Sequence, residues 1–293
     1  MAFAPALPAS APSVSAGTRA RPVARGMLGT VLSHLVLAVV AIASIFPVYW
    51  MFATALRRPQ DALGQGLFPW PISFENFGYV WQTIPIGRML ASTFGMATIL
   101  TVAQLLVAIL ASYAFSRWSF VGKKVLSMLF IGSWLVPFQV TMIPNYLLVA
   151  QLGLLGTVGG VVVPNLCSAF AVLLLRQHMQ AFPRELLDAS EMDGRNSWSA
   201  LWTVVVPNLR PALAALGIML FISAWNEYLW PSLVLQGSPD ALVQMGIRSF
   251  LGSEGNDWGA VMAASTMACI PIFVIYIFLQ RYVVDAFVRS GLK

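Results

Sequence analysis

Charged residues are scarce in this sequence. Only 10% of its 293 residues are Asp, Glu, Lys or Arg, against 58% apolar residues. A soluble domain carries about 25% charged residues, because its surface must be wetted. A chain this poor in charge cannot cover itself against water, and a mean hydropathy of +0.77 agrees. Lipid must cover much of it. Histidine and cysteine are almost missing, with two of each. Cys167 and Cys269 fall in apolar runs, without CxxC spacing or neighbouring histidines. They indicate neither a metal site nor a disulfide framework, and read as small packing residues. No phosphate-binding loop is present. Gly122-Lys123 lacks both the earlier glycine and the following hydroxyl of GxxxxGK[ST]. With no HExxH and no nucleophile elbow either, the chain reads as a non-enzyme that binds no cofactor of its own. The net charge of +6 raises nucleic acid as a partner. In a membrane chain, however, the placement of positive residues matters more than their sum.

What is abundant is apolar sequence in long runs. After an Ala-, Pro- and Ser-rich segment over residues 1–27, expected to be a mobile tail, runs of spanning length lie at about Leu28–Leu56, Met89–Phe115, Val125–Ile143, Gly159–Leu175, Pro211–Leu235 and Gly259–Gln280. Crossing a hydrocarbon core of about 30 Å takes roughly 20 residues. Pro137, Pro144 and Pro164 interrupt the third and fourth runs, which spanning helices tolerate where neighbours re-satisfy the backbone. The expectation is an all-α integral membrane protein with six transmembrane helices over residues 28–293. Thirteen of the 17 Lys and Arg residues then share the face holding both termini, and Arg57, Arg58, Arg88 and Arg248 lie opposite. The positive-inside rule places the termini in the cytoplasm. On the opposite face, residues 57–88 include Phe68-Pro69-Trp70-Pro71 and Phe74-Glu75-Asn76-Phe77, whose aromatic residues suit a membrane–water boundary.

The longest connection on the terminal face, about residues 177–210, contains Pro183 followed by Arg184 to Gly194. Pro183 suits the first position of a helix. Glu185 and Asp188 favour the positive end of its dipole, and Glu185, Asp188 and Glu191 recur every three residues on one broad face. Ala189 and Ser190 are small enough for another surface to come close. Met192 follows, and Asp193-Gly194 is a helix-stop pair. Asn196 or Ser197 then caps a second helix, whose Trp198, Leu201, Trp202, Val205 and Val206 keep helical spacing. A solvated amphipathic hairpin and a lever docked into a soluble partner both fit this pattern.

Asp188-Ala189-Ser190-x-x-Asp193-Gly194, followed by Val206-Pro207-x-x-x-Pro211, resembles the EAA loop of bacterial ABC importer permeases. Asp188 stands for the usual glutamate, Ser190 for the second alanine and Arg195 for a common alanine. Ala111 to Arg117 is similar to the family's AYAFAR. Leu175-Arg176-Gln177, Trp225 to Pro231 and Gln280-Arg281-Tyr282 also match. The resemblance covers about residues 28–293 and points to the smaller, maltose-type permease of the carbohydrate-uptake branch. Val136 to Val140 and the loop from Gly246 to Gly259 also look like permeases for glycerol 3-phosphate.

The resemblance implies a type I importer fold in the bacterial inner membrane and a second permease subunit as partner. It further implies two cytoplasmic ATPase subunits, which hold ATP and Mg, and an extracytoplasmic solute-binding protein. Glu185, Asp188, Ala189, Ser190, Glu191, Met192, Asp193 and Gly194 then form a coupling helix that fits a groove in the ATPase. For the translocation path the candidates are Asn226 and Glu227, with Gln139 and Asn145 as further polar residues. An ionisable residue inside a span usually faces a cavity or a partner. Gln104 is a further polar candidate of the same kind; interhelical hydrogen bonding explains all of these residues as well, and His34 reads as structural. A gradient-driven secondary transporter is the rival reading. Such a protein often shows internal repeats and several charges within its spans, and neither is visible here.

Overall fold

The computed structural model describes residues 27–64, 66–252 and 255–291, so all of the tail expected over residues 1–27 except Met27, which begins a helix, lies outside the described residues. It divides into two compact units, the first ending at Val48 and the second beginning at Tyr49. The helix α1, Met27–Ala55, runs from one into the other. In the first unit, His34 Nδ1 lies 2.7 Å from the Thr30 carbonyl of its own helix, which fits the structural role expected of it.

The second unit is built on α3, Ile86–Arg117, which follows a short helix α2, Glu75–Thr83. No proline interrupts the 32 residues of α3. Its buried residues, among them Met89, Thr93, Met96, Leu100 and Ala108, keep the three- and four-residue steps of one helix face, while Phe94, Val102, Leu106 and Leu110 stay exposed. At the other end of the chain, α13, Trp258–Gly291, buries Ala260, Ala263, Ala264 and Ala268. Small residues let helix backbones approach closely in a membrane.

Proline explains where the remaining spans break. The helices α4, Lys123–Leu135, and α5, Phe138–Gln151, meet at 98° around Pro137. Pro137 holds Val136 in an extended conformation. The helices α6, Val158–Asn165, and α7, Ala169–Gln180, meet at 47°. Pro164 sits in the last, 3-10 turn of α6, and Ser168 restarts the helix by accepting a hydrogen bond from the Ala171 N–H. After α8, Arg184–Met192, the helix α9, Ser197–Asn208, meets α10, Arg210–Trp225, at 79° across Leu209. Residues 29–55, 86–117 and 258–278 are single helices long and apolar enough to cross a membrane. Counting each bent pair as one span gives six crossings among the described residues.

The fifth span departs from expectation. The run Pro211–Leu235 is not one helix, because α10 ends at Trp225 and a separate α11, Leu229–Val234, follows. Pro231 is the cause. In a continuous helix its ring would collide with the carbonyl of Glu227, four residues back, so the chain leaves the helix over residues 226–228. The partner of α10 in crossing is therefore α9, on its upstream side. Cys167 differs too, since it is exposed in the α6–α7 break and does not act as a packing residue.

Buried apolar residues form two clusters. One joins the first half of α3 to α11, to the helix α12, Val243–Ser249, and to α13; it includes Met96, Trp225, Trp230 and Ala264. The other joins the second half of α3 to α7, α9 and α10, through Tyr113, Phe115, Leu175, Leu201 and Leu216. At the α2 end a hydrogen-bonded joint holds the start of the unit. Asn76 is buried, and its Nδ2 donates to the Ala55 carbonyl at 3.1 Å and the Arg57 carbonyl at 2.7 Å. Arg57 is itself buried. It donates to the carbonyls of Gly64 and Gly66 and lies over the Trp50 ring. The loop's Phe68 and Trp70 are exposed, as a boundary role requires.

Candidate functional site

The hairpin read from residues 183–206 is present. Pro183 stands immediately before α8, one position earlier than the first helical residue, and Glu185 lies in the first turn. At the other end, Gly194 takes a φ of +75°. Its N–H bonds the Glu191 carbonyl at 2.9 Å, and the Arg195 N–H reaches back to the Ser190 carbonyl at 3.0 Å. Those two bonds are the Schellman closure, which satisfies helix-end carbonyls and turns the chain sharply through a left-handed residue. Asn196 then caps α9, its Oδ1 accepting from the Ser199 N–H at 2.8 Å.

The side chains of α8 divide cleanly. Glu185, Asp188, Ala189, Glu191, Met192, Asp193 and Gly194 are exposed, whereas Ser190 is buried and Leu187 packs against the second apolar cluster. Glu191 reaches sideways to an ion pair with Arg117, the last residue of α3. Near it, Tyr113 donates its hydroxyl hydrogen to the Ser197 carbonyl at 3.0 Å. One helix end of α3 thus grips both arms of the hairpin. Beside α8 lies a polar cleft of about 610 Å³ whose lining includes Arg117, Lys123, Arg184 and Asp188. On α9, Leu201 and Val205 are buried as the periodicity requires, while Trp198 is exposed and stacks edge-on to Trp202 at 5.7 Å. Replacing Asn196 with Ala removes the α9 cap, at a cost of about 1 kcal/mol. Faster amide exchange confined to residues 197–203 is the expected result.

The path candidates separate. Glu227 lines a cavity of about 120 Å³ together with Gln104, Asn165, Ser223, Phe138 and Trp230. Asn226 does not line it. Its Nδ2 donates to the Ile222 carbonyl at 2.8 Å, closing the end of α10, and its Oδ1 receives a long bond from Gln244. Gln139 is exposed and Asn145 half-exposed, and neither lines this cavity. Gln104, open to a path role and to interhelical hydrogen bonding alike, bridges to the Asn165 carbonyl at 2.7 Å and lines the cavity as well. Asn165, Ser223 and the Arg117 latch carried no local signal in the sequence.

Residues 104–289 match the family model described as the inner-membrane component of binding-protein-dependent transport systems. The chain belongs to this family. It is a permease subunit of the ABC importer type, a multi-pass inner-membrane transporter component and not an enzyme. The permease is 31% identical over 270 residues to the sn-glycerol-3-phosphate transport system permease protein UgpE of Yersinia pestis, covering 89% of this chain and 96% of the relative. It is 30% identical over 267 residues to the lactose transport system permease protein LacG of Rhizobium radiobacter, covering 91% and 97%. To the arabinooligosaccharides transport system permease protein AraQ of Bacillus subtilis it is 27% identical over 254 residues, covering 85% and 90%. Among solved structures, the permease superposes with a TM-score of 0.75 on a chain from a bacterial ABC transporter involved in the import of the acidic polysaccharide alginate. That match has 23% identity and covers 90% of this chain and 99% of the other. The permease therefore has the type I importer fold.

Proposed function

We propose that this permease forms half of the membrane pair of an ATP-driven importer and carries a sugar or related polyol phosphate into the cytoplasm. Its α8 is the coupling helix, seated in a groove of a separate ATPase subunit that holds ATP and Mg. A second permease, two ATPase subunits and an extracytoplasmic solute-binding protein complete the assembly. Both termini lie in the cytoplasm, which also puts α8 on the side where ATP is available.

The observation that carries this reading is the two-faced packing of α8. Its inner side is fixed by Leu187, the buried Ser190 and the Glu191–Arg117 pair, while Glu185, Asp188, Ala189 and Met192 present an open surface. A helix fixed from behind and open in front transmits displacement, where a merely solvated hairpin would need no such bed. The names of the relatives, which transport glycerol 3-phosphate, lactose and arabinooligosaccharides, support the cargo class. Closure of the ATPase pair would move α8 and switch the permease pair between inward- and outward-facing states as rigid bodies.

Gly194→Arg tests the assignment. No atom stands within 4 Å of a Cβ placed there, so the substitution meets no clash. Left-handed backbone costs a non-glycine residue about 1–2 kcal/mol, and the new cation projects from the tip of the hairpin. The variant is expected to insert at normal abundance and lose ATP-dependent uptake. Normal uptake at equal membrane abundance removes α8 from the coupling role.

A further inference from the structure

Three of the helix breaks converge on one cavity. Phe138 opens α5 after the Pro137 break, Asn165 closes α6 before the next, and Glu227 lies in the break between α10 and α11. All three line the 120 Å³ cavity beside Gln104, which is close to the midpoint of α3. Irregular backbone at membrane depth is tolerated only where it is buried in protein or lines a watered cavity. A single water needs about 10–15 Å³ of such space, so this cavity has room for a group the size of one sugar ring.

Its polar groups offer acceptors and donors together. Gln104 Nε2 donates to the Asn165 carbonyl and Asn165 Nδ2 to the Val161 carbonyl, which leaves each amide its oxygen and a second N–H, and Ser223 adds a hydroxyl. Glu227 receives only a 3.4 Å contact from the Trp230 N–H. No Lys or Arg lines the cavity. The Trp230 and Phe138 rings supply an apolar wall, edge to face at 5.8 Å. Amide and hydroxyl groups beside a carboxylate suit a ligand whose hydroxyls both donate and accept hydrogen bonds. A phosphate ester offers acceptors and negative charge, and meets Glu227 with no cation to offset it.

We propose that the cavity at Glu227, Gln104, Asn165 and Trp230 is a hydroxyl-binding subsite for a neutral carbohydrate, and that Glu227 excludes anionic cargo from it. This rests on the importer reading above, and narrows its cargo from sugar or polyol phosphate to uncharged sugar. Glu227 also touches the first turn of α11, so a purely structural role must be separated from recognition. A selectivity measurement does that, because Glu227→Gln keeps an acceptor for the Trp230 N–H and removes only the charge.

The test uses the assembled complex, purified without its solute-binding protein, so that the receptor cannot set the selectivity. Binding of labelled lactose, maltose, an arabinose trisaccharide and glycerol 3-phosphate is measured by equilibrium dialysis. At least one neutral sugar is expected to bind, glycerol 3-phosphate to bind at least tenfold more weakly, and Glu227→Ala or Gln104→Ala to weaken the sugar about tenfold. Glu227→Gln is expected to narrow the gap between sugar and phosphate ester. Equal binding of the two by the unaltered protein, an unchanged ratio in Glu227→Gln, or no sugar binding at all overturns the subsite. Sugar binding without stimulation of ATP hydrolysis when the loaded solute-binding protein is added back supports the subsite and overturns the importer reading instead.

Discussion

Gly160→Ala is expected to abolish the folded protein or lower its stability by about 3 kcal/mol or more. Gly160 is buried in the first turn of α6, where α5 and α11 press on it from two sides. A Cβ there would lie 2.4 Å from the Leu154 carbonyl oxygen, 2.8 Å from Val234 Cγ1 and 3.0 Å from Val149 Cγ1. The oxygen cannot retreat cheaply, because it accepts hydrogen bonds from the Thr157 N–H at 3.3 Å and the Thr157 hydroxyl at 2.8 Å. Gly159 gives the control. A Cβ at that position meets nothing nearer than 3.5 Å, and alanine favours helix over glycine by about 1 kcal/mol. Gly159→Ala should therefore keep or raise the thermal midpoint in detergent while Gly160→Ala loses the monodisperse species. Equal behaviour of the two variants would rule out the three-way contact.

The joint at Asn76 carries the second large effect. Asn76→Leu leaves the carbonyls of Ala55 and Arg57 without their donor in a buried site. An unsatisfied buried group costs about 1–3 kcal/mol, so the pair should lose about 2–4 kcal/mol. Gly259 presses on the same amide from α13, since a Cβ there would come 2.5 Å from Asn76 Oδ1. Because the amide is held by both hydrogen bonds, Gly259→Ala breaks the joint from the opposite side. Neighbouring substitutions that damage one contact do not add. The double variant Asn76→Ala/Gly259→Ala is expected to be about as unstable as Asn76→Ala alone. Thermal midpoints that sum would show two independent sites.

Local chemistry made much of this architecture legible. Apolar runs of spanning length gave the number of crossings, and Pro137 and Pro164 marked two of the breaks. Asp193-Gly194 and Asn196 placed the hairpin turn, because a left-handed residue and a helix cap are short-range requirements. Pro231 carried the same kind of signal and was overridden by hydrophobicity, which extended the fifth span across a break. What local pattern cannot give is juxtaposition. Arg117 and Glu191 stand 74 positions apart, and Tyr113 and Ser197 stand 84 apart. Gln139 and Asn145 were as polar as Gln104 in the sequence. Both lie on α5 with Phe138, yet Phe138 lines the cavity with Gln104 and neither of them does.

The division of the apolar core into two clusters has a mechanical meaning. Of the segments that contribute buried residues to both, α6 and α7 are parted by a break, whereas α3 and α10 pass from one cluster to the other as unbroken helices. The unit from Tyr49 onward is in effect two blocks joined by two shafts, one about 48 Å long and the other about 24 Å at 1.5 Å per residue. Both shafts also form walls of the central cavity. If a partner displaces α8, two unbroken helices would carry that displacement to the cavity walls, where a single broken helix would yield at its joint.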